Sequence, residues 1–464
     1  MSKRNCTLGI LIGALSITSV ACSQKITTEE AQAVTINGEA QEVTSNDGAQ
    51  EVAINDEAQE VAISDWAQPT ISHGSRFGIY PSDWHYDNFN QEITADKLEL
   101  LLNNVATKLD NTTYIAEIDN SPLTRETVLN SLYQIIDKFE ELPLAENGVD
   151  YFIQNDLIKG DDVDLRLNEI ATTEEAVVFA TILIEQVQDV LDTSTKGMAW
   201  EIQHNDNTAY LFGSVHLGPS DLFPINNQVL DAYHNSDYLI VETNSYNEET
   251  WQRQMEMGYL SEGTAADYLS PQTYDKLVEV CELYGLPVEE VELLTPFFLA
   301  NELSRYTSEF YSDVSTQYGI DSYFFELALF ENKTIIGLED EYDFKFNDLP
   351  LEYLEEDLNL TLDACLSPEE HSDMYDDYLE IVDYYIVGDV ENFTELAVDL
   401  DDAIAMEVLY GDRDQNMANG IHELLQQEGE NTYFVVVGAG HYVVDNSVLD
   451  RLEDMGYTVT SFYQ

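Results

Sequence analysis

From about residue 196 to the C-terminus, short apolar runs alternate with longer stretches in which apolar residues recur three and four positions apart. The runs at 210–215, 238–242, 334–338, 433–438 and 457–462 are rich in β-branched and aromatic residues and read as strands. The longer stretches predict helices over 227–235, 273–284, 289–309, 321–330, 371–387 and 403–427. Strands interleaved with long helices predict an α/β domain over 196–464, a mixed sheet flanked by helices. In such sheets ligands gather beyond strand ends, so the residues closing each run are the candidates for chemistry.

The region 76–195 has a different rhythm and predicts a smaller, mostly helical block ahead of the α/β domain. Ile93-Thr94-Ala95-Asp96 and Leu123-Thr124-Arg125-Glu126 each open an amphipathic helix, and Thr172 with Glu175 forms a capping-box pattern before a third. Tyr151-Phe152-Ile153-Gln154-Asn155-Asp156-Leu157-Ile158-Lys159-Gly160, followed by the Thr172 helix, resembles half of an S-layer-homology repeat. That resemblance implies contact with a cell-wall polymer. A helical packing partner for the main domain is the alternative.

Ahead of this block, residues 22–75 contain an internal repeat with a period of nine, marked by Ala-Gln at 31, 40, 49, 58 and 67 and by Glu-Val at 42, 51 and 60. Its units are acidic and poor in large apolar residues, which predicts a solvated spacer. A calcium-binding nonapeptide β-helix would need Gly-Gly-x-Gly-x-Asp units, and these are absent. Residues 1–21 carry Lys3 and Arg4, then the apolar run 8–15, as in an export signal. Val20-Ala21-Cys22 resembles a bacterial lipobox, with Cys22 as the lipidated residue. The expected location is the outer face of the bacterial cytoplasmic membrane or the cell surface, with the spacer holding the folded part off the lipid. Cleavage after Ala21 without acylation is the other reading.

Charge narrows the partners. The 90 acidic and 18 basic residues give a formal net charge of −72, which opposes nucleic-acid phosphates and anionic lipid surfaces. The same acidity concentrates divalent cations near the surface. Beyond Cys6 and Cys22, Cys281 and Cys365 can form at most one disulfide, and two cysteines cannot build a Cys-based zinc cluster.

Two strand ends carry the candidate chemistry. Tyr210-Leu211-Phe212-Gly213-Ser214-Val215-His216 and Phe434-Val435-Val436-Val437-Gly438-Ala439-Gly440-His441 both run from apolar residues into Gly-x-x-His; the other six of the eight histidines lack that setting. Glu242 closes Leu239-Ile240-Val241 and Glu339 closes Ile336-Gly337-Leu338. A carboxylate at the end of an apolar strand needs a cation or several donors, although Glu339 also reads as part of an acidic turn with Asp340 and Glu341. Two imidazoles and a carboxylate suit a divalent ion, with Mn²⁺ or Co²⁺ favoured and Zn²⁺ compatible. Such an ion can activate water to attack a carbonyl at neutral pH. Arg413 and Asn416 fall three apart on one helix face. Arg413 either pairs with Asp412 or Asp414 or stabilises an oxyanion or substrate carboxylate, and Asn416 is a candidate substrate-binding residue.

Taken in order, 211–218, 232–242, the Tyr318-Gly319-Ile320-Asp321 helix start, Gly337-Leu338-Glu339, 413–418 and 437–441 resemble the TraB/GumN family, which includes the Tiki membrane-anchored metalloproteases. The resemblance spans roughly 196–464 and implies a fold related to the erythromycin esterase and ChaN group. It further implies metal ligands at His216, Glu242 and His441, with supporting catalytic roles for Arg413 and Glu339. Tyr442, where the family usually has leucine, alters the expected pocket lining.

Together these features predict a lipid-anchored, extracytoplasmic, metal-dependent hydrolase, foremost a peptidase acting on a peptide or protein. Neither His-Glu-x-x-His nor Gly-x-Ser-x-Gly is present, so the common zincin and serine-hydrolase mechanisms have no motif here. The alternatives are a non-catalytic surface protein that binds a peptide or pheromone, and a hydrolase of esters or lactones.

Overall fold

The computed structural model describes residues 63–463 apart from 88, 119–120, 159–164, 311–313, 343 and 399–402. Residues 1–21, where an export signal is expected, Cys22 and most of the nine-residue repeat lie outside the described residues. Two compact units divide the chain between Asp192 and Thr193. Helices of seven or more residues are numbered in chain order.

The first unit is helical: α1 (Gln68–Gly74), α2 (Ala95–Lys108), α3 (Arg125–Ile136), α4 (Gly148–Gln154) and α5 (Thr173–Leu191). Thr94, Thr124 and Thr172 each accept a backbone N–H at a helix start, and Glu175 completes the capping box of α5. Ala176, Val177, Ala180, Leu183, Ile184 and Val187 of α5 are fully buried, so this helix is the unit's core element. One boundary differs from the repeat-based reading. Residues 63–75, assigned above to the spacer, are folded: Ile71 is buried, and Ser64 donates its N–H and hydroxyl to Glu174 at 3.0 and 2.8 Å. An isoleucine that finds an apolar partner and a serine that finds a carboxylate outweigh the local polarity that suggests a solvated chain.

The second unit holds a six-stranded sheet in the order β4-β3-β5-β2-β1-β6. The strands are β1 (Met198–His204), β2 (Asn207–Ser214), β3 (Tyr238–Val241), β4 (Thr334–Gly337), β5 (Thr432–Gly438) and β6 (Val459–Ser461). β2, β5, β3 and β4 run parallel, whereas β1 is antiparallel to both β2 and β6. This is a mixed α/β sheet, and its parallel part sends four strand ends to one edge.

Successive side chains alternate between the two faces. Leu211, Ile240, Val435 and Val437 join Met417, Ile421 and Leu452 in one apolar core. Phe212 and Phe434 meet Phe324 at 5.6 and 4.8 Å between ring centroids, on a helix that covers the other face. The helices are α6 (Asn227–His234), α7 (Glu248–Gly258), α8 (Pro271–Tyr284), α9 (Pro296–Phe310), α10 (Ile320–Glu331), α11 (Leu351–Leu366), α12 (Ser372–Val387), α13 (Val390–Ala397), α14 (Asp412–Leu425) and α15 (Val448–Asp454). A second core, with Leu277, Leu299, Leu303, Leu358 and Leu362, joins α8, α9 and α11. Cys281 and Cys365 belong to it as free, buried thiols.

Two helical expectations change. The stretch 289–309 divides into a single turn, Val288–Val291, and α9, because Pro296 begins a new helix where its missing N–H costs nothing. The stretch 403–427 contains a π-helical turn at Glu407–Gly411 before α14, an insertion that apolar periodicity does not reveal. β1 is an additional strand that pairs with β2 through the tight turn at Asn205-Asp206, where Asn205 adopts φ 53°.

Candidate active site at the parallel strand ends

Register brings the two Gly-x-x-His motifs together. Ser214 of β2 pairs with Gly438 of β5, and Val436 of β5 with Val241 of β3, so His216, Glu242 and His441 leave three adjacent strands at the same edge. All three side chains are buried.

Local backbone contacts hold each exit. The N–H of Ala439 donates to Ser214 O at 2.8 Å, tying the two motifs directly, and a Cβ on Gly213 would lie 2.9 Å from Ala439 Cα. Only glycine permits that approach. Ile320 N–H, at the start of α10, donates to Val215 O at 2.9 Å. Tyr385 and Tyr378 of α12 donate their hydroxyls to Gly213 O at 2.6 Å and Leu217 O at 2.7 Å. The single helical turn Gly440–Val443 carries His441 back against α14.

Glu242 lies between the imidazoles. Its Oε1 accepts the Gly438 N–H at 2.6 Å and lies 3.9 Å from His441 Nε2, while Oε2 accepts from Arg413 Nη2 at 2.9 Å. Burial pushes its carboxyl upward, but His441, Arg413, His216 and the Gly438 N–H together outweigh burial and hold it at about 2. A Cβ on Gly438 would sit 3.2 Å from Glu242 Oε1, 3.5 Å from His216 Nε2 and 3.6 Å from His441 Cδ2. The missing side chain of Gly438 therefore marks the point on which the three groups converge.

Each histidine also faces an aspartate. His441 Nδ1 is 2.5 Å from Asp414 Oδ1, and His216 Nδ1 is 3.1 Å from Asp321 Oδ2, the latter off the line of a good hydrogen bond. Burial alone would lower His216, but Asp321 and then Glu242 reverse this and raise it. The Nε2 atoms of both histidines are buried without a hydrogen-bond partner. A cavity of about 30 Å³ opens beside His216, lined also by Glu242, Asp321, Ser214, Thr243 and Phe325 among others, and it is large enough to hold water. His441 is not part of that lining.

Arg413 stands elsewhere than an oxyanion-binding residue would. Its Nε donates to Glu339 Oε1 at 3.1 Å, Nη2 to Glu339 Oε2 at 2.7 Å and to Glu242, and Nη1 to Leu409 O at 3.1 Å in the π-helical turn. Phe344 and Phe346 flank the guanidinium at 5.2 and 5.7 Å. It pairs with neither Asp412, which meets Lys345, nor Asp414, which meets His441. Glu339 is equally buried and outside the cavity lining; burial raises its carboxyl, with Arg413 opposing. Its backbone N–H donates to Glu242 O at 2.7 Å. Asn416 donates its amide to Leu338 O at 3.3 Å, bracing the end of β4. These three residues thus form the support behind Glu242.

Two unpartnered Nε2 atoms and an ionised carboxylate are a donor set suited by type to a divalent ion. Among the described residues no group of three His, Cys, Asp or Glu is already drawn together at metal-ligand spacing. Asp414 and Asp321 are the residues that motif reading passes over; the signal for Asp321 was its place in the Tyr318-Gly319-Ile320-Asp321 helix start, and for Asp414 its adjacency to Arg413.

Known proteins place the chain as follows. A stretch of 63 residues is 35% identical to the Metalloprotease TIKI1 of Xenopus tropicalis, covering 14% of this chain and 12% of that protein's length. No solved structure matches. Residues 198–461, more than half of the 464, match the TraB/PrgY/gumN family and include every strand of the sheet and every residue of the site, so the chain belongs to that family.

Proposed function

We propose that this protein is a metal-dependent hydrolase of peptides, exported and held to the membrane through a lipid on Cys22. The observation that carries the hydrolase reading is the pair of buried, unpartnered imidazole nitrogens beside the ionised Glu242 carboxylate. Buried polar atoms ordinarily have partners, so two at one convergence point call for a ligand. His216, Glu242 and His441 are the residues that would hold the ion, Mn²⁺ or Co²⁺ before Zn²⁺. When bound, it supplies Lewis acidity that brings the pKa of water towards neutrality.

Each remaining residue has a defined task in this reading. Arg413 orients Glu242 and, after His441, helps keep it ionised, in place of the oxyanion role expected from sequence, and Glu339 compensates the buried guanidinium. Gly438 leaves open the space that any side chain would fill. His216, Glu242 and Asp321, with the Ser214 and Thr243 side chains, form a confined polar wall for water and a carbonyl, and Phe325 supplies an apolar flank. Export and lipidation rest on the charged start, the apolar run and Val20-Ala21-Cys22. The similarity to a protein named as a metalloprotease favours peptides over esters as the first substrates to examine.

Metal analysis combined with a mixed peptide library digested and read by mass spectrometry tests the reading. Cleavage abolished by chelation, restored by Mn²⁺ or Co²⁺, and absent in folded His216→Ala and His441→Ala variants is the expected result. Peptide binding without turnover in any of these metals would replace the enzyme with the sequestering surface protein. Turnover confined to ester or lactone substrates would keep the site and change the substrate.

A further inference from the structure

We infer that Asp414 and Asp321 are positioning residues, which fix the two histidines as Nδ1–H tautomers and so present both Nε2 lone pairs to the Glu242 convergence point. The inference rests on the proposed hydrolase site for its purpose but on independent geometry for its content. A neutral imidazole carries one proton on two nitrogens. Where Nδ1 of a neutral imidazole faces an ionised carboxylate oxygen it is the donor, and Nε2 is left as a lone pair. His441 Nδ1 is hydrogen-bonded to Asp414 Oδ1 at 2.5 Å, whereas His216 Nδ1 lies 3.1 Å from Asp321 Oδ2 without hydrogen-bond alignment, and neither Nε2 has a hydrogen-bond partner. Both rings therefore turn Nδ1 towards an acid, while His216 Nε2 faces Gly438 and His441 Nε2 faces Glu242.

The two aspartates differ in a way that orders their effects. Asp414 is fully buried, with its Oδ2 unpartnered, in the first turn of α14 next to Arg413. A single helix start thus contacts Glu242 through Arg413 and His441 through the following Asp414. Isolating a carboxylate there costs free energy that a single hydrogen bond from a neutral histidine repays poorly, so stability alone does not explain its presence. Asp321 lies in the first turn of α10, lines the cavity and has a side chain 19% exposed. Its contact with His216 is longer and less well aligned, so it is the weaker constraint. Carboxylate partners of this kind typically change metal affinity by about 10–100-fold.

The test uses the full folded chain in Asp414→Asn and Asp321→Asn forms. An asparagine can turn its amide towards Nδ1 and so permit the opposite tautomer. The ¹⁵N spectra of histidine-labelled, metal-free protein, followed as a function of pH, report protonation and tautomer directly; His216→Ala and His441→Ala spectra assign the signals. The expected result is Nδ1–H at both positions in the parent, a population of Nε2–H at His441 in Asp414→Asn, and a smaller one at His216 in Asp321→Asn. Calorimetric titration with Mn²⁺ or Co²⁺ should show affinity reduced about 10–100-fold in Asp414→Asn and less in Asp321→Asn, with stoichiometry unchanged. Parent histidines carrying Nε2–H, or tautomers insensitive to both substitutions, would overturn the inference. A parent that binds neither metal yet shows the expected tautomers would instead remove the proposed function and leave the positioning role standing.

Discussion

Arg413 Nη2 and Glu242 Oε2 are 2.9 Å apart in a fully buried pair that joins α14 to the end of β3, across 171 residues of sequence. Glu339 completes the arrangement from the neighbouring strand end, so one cation answers two buried carboxylates. Removing that cation strands both. Arg413→Met should therefore destabilise the fold by about 3–5 kcal/mol. Adding Glu339→Gln should recover part of the loss, because it removes one of the two uncompensated charges. Urea denaturation of the two single variants and the double variant measures this, and additive effects would mean that the pair is not coupled as the geometry implies.

Gly438→Ala separates the site from the fold. The backbone there is unstrained for an L-residue, yet the added methyl would crowd Glu242 Oε1 at 3.2 Å and occupy the space between it and the His216 and His441 rings, which it would touch at ordinary contact distance. Thermal stability should change little, by an amount equivalent to roughly 1–2 kcal/mol of overpacking at most. Affinity for Mn²⁺ or Co²⁺ should fall at least about 10-fold, as expected when ligand geometry is disturbed. Unchanged affinity would move the binding point away from Gly438.

Asp357 of α11 gives a pH dependence with a defined sign. Its side chain is buried, Oδ1 has no partner, and burial pushes its carboxyl up to about 7 from the ordinary 3.8. Between these values the folded state holds a proton that the unfolded state has lost, so its contribution to stability is complete below about pH 4 and is lost as pH rises to about 7. Asp357→Asn does not ionise. The variant should gain on the parent across that window, reaching on the order of 2–4 kcal/mol above pH 7. Glu242, held at about 2, acts in the opposite direction at the acid end, where its contribution is lost as pH falls. Comparing denaturation midpoints of parent and variant from about pH 4 to 8 isolates Asp357, since all other groups are common to both.

The thiols of Cys281 and Cys365 should be silent towards alkylating reagents in the folded protein. Both are free and buried, and burial raises them to about 11 and about 12, so little thiolate forms near neutrality. Cys365 additionally donates to Leu303 O at 3.4 Å. Labelling with iodoacetamide should appear at both only with denaturant; rapid modification of the native chain would show that the core of α8, α9 and α11 opens locally.

Much of the scaffold was legible from local pattern. The runs ending in His216, Glu242, Glu339 and His441 are β2, β3, β4 and β5 to within a residue or three, because β-branched and aromatic residues favour a pleated, covered backbone wherever they occur. β1 was harder to read, since Glu201, Gln203 and His204 interrupt its apolar positions and its identity depends on pairing with β2. The helix Leu351–Leu366 does carry apolar residues at 354, 358, 362 and 365, but its dense acidic residues resemble a solvated segment until α9 covers it.

The sequence by itself determined the strand and helix classes, the two glycine-led histidine exits and the strand-closing glutamates, all of which depend on neighbours a few residues away. Only the tertiary structure decided which exits become neighbours. The order β4-β3-β5-β2 inserts the last parallel strand between the first two, bringing His441 to both His216 and Glu242. It also decided the pairing of each charge: Arg413 with Glu242 and Glu339 rather than with the adjacent aspartates, and Asp414 with His441. An arginine in sequence is surrounded by acids that can all reach it through water, whereas in the folded chain burial removes water and leaves only the carboxylates that the backbone has fixed beside it.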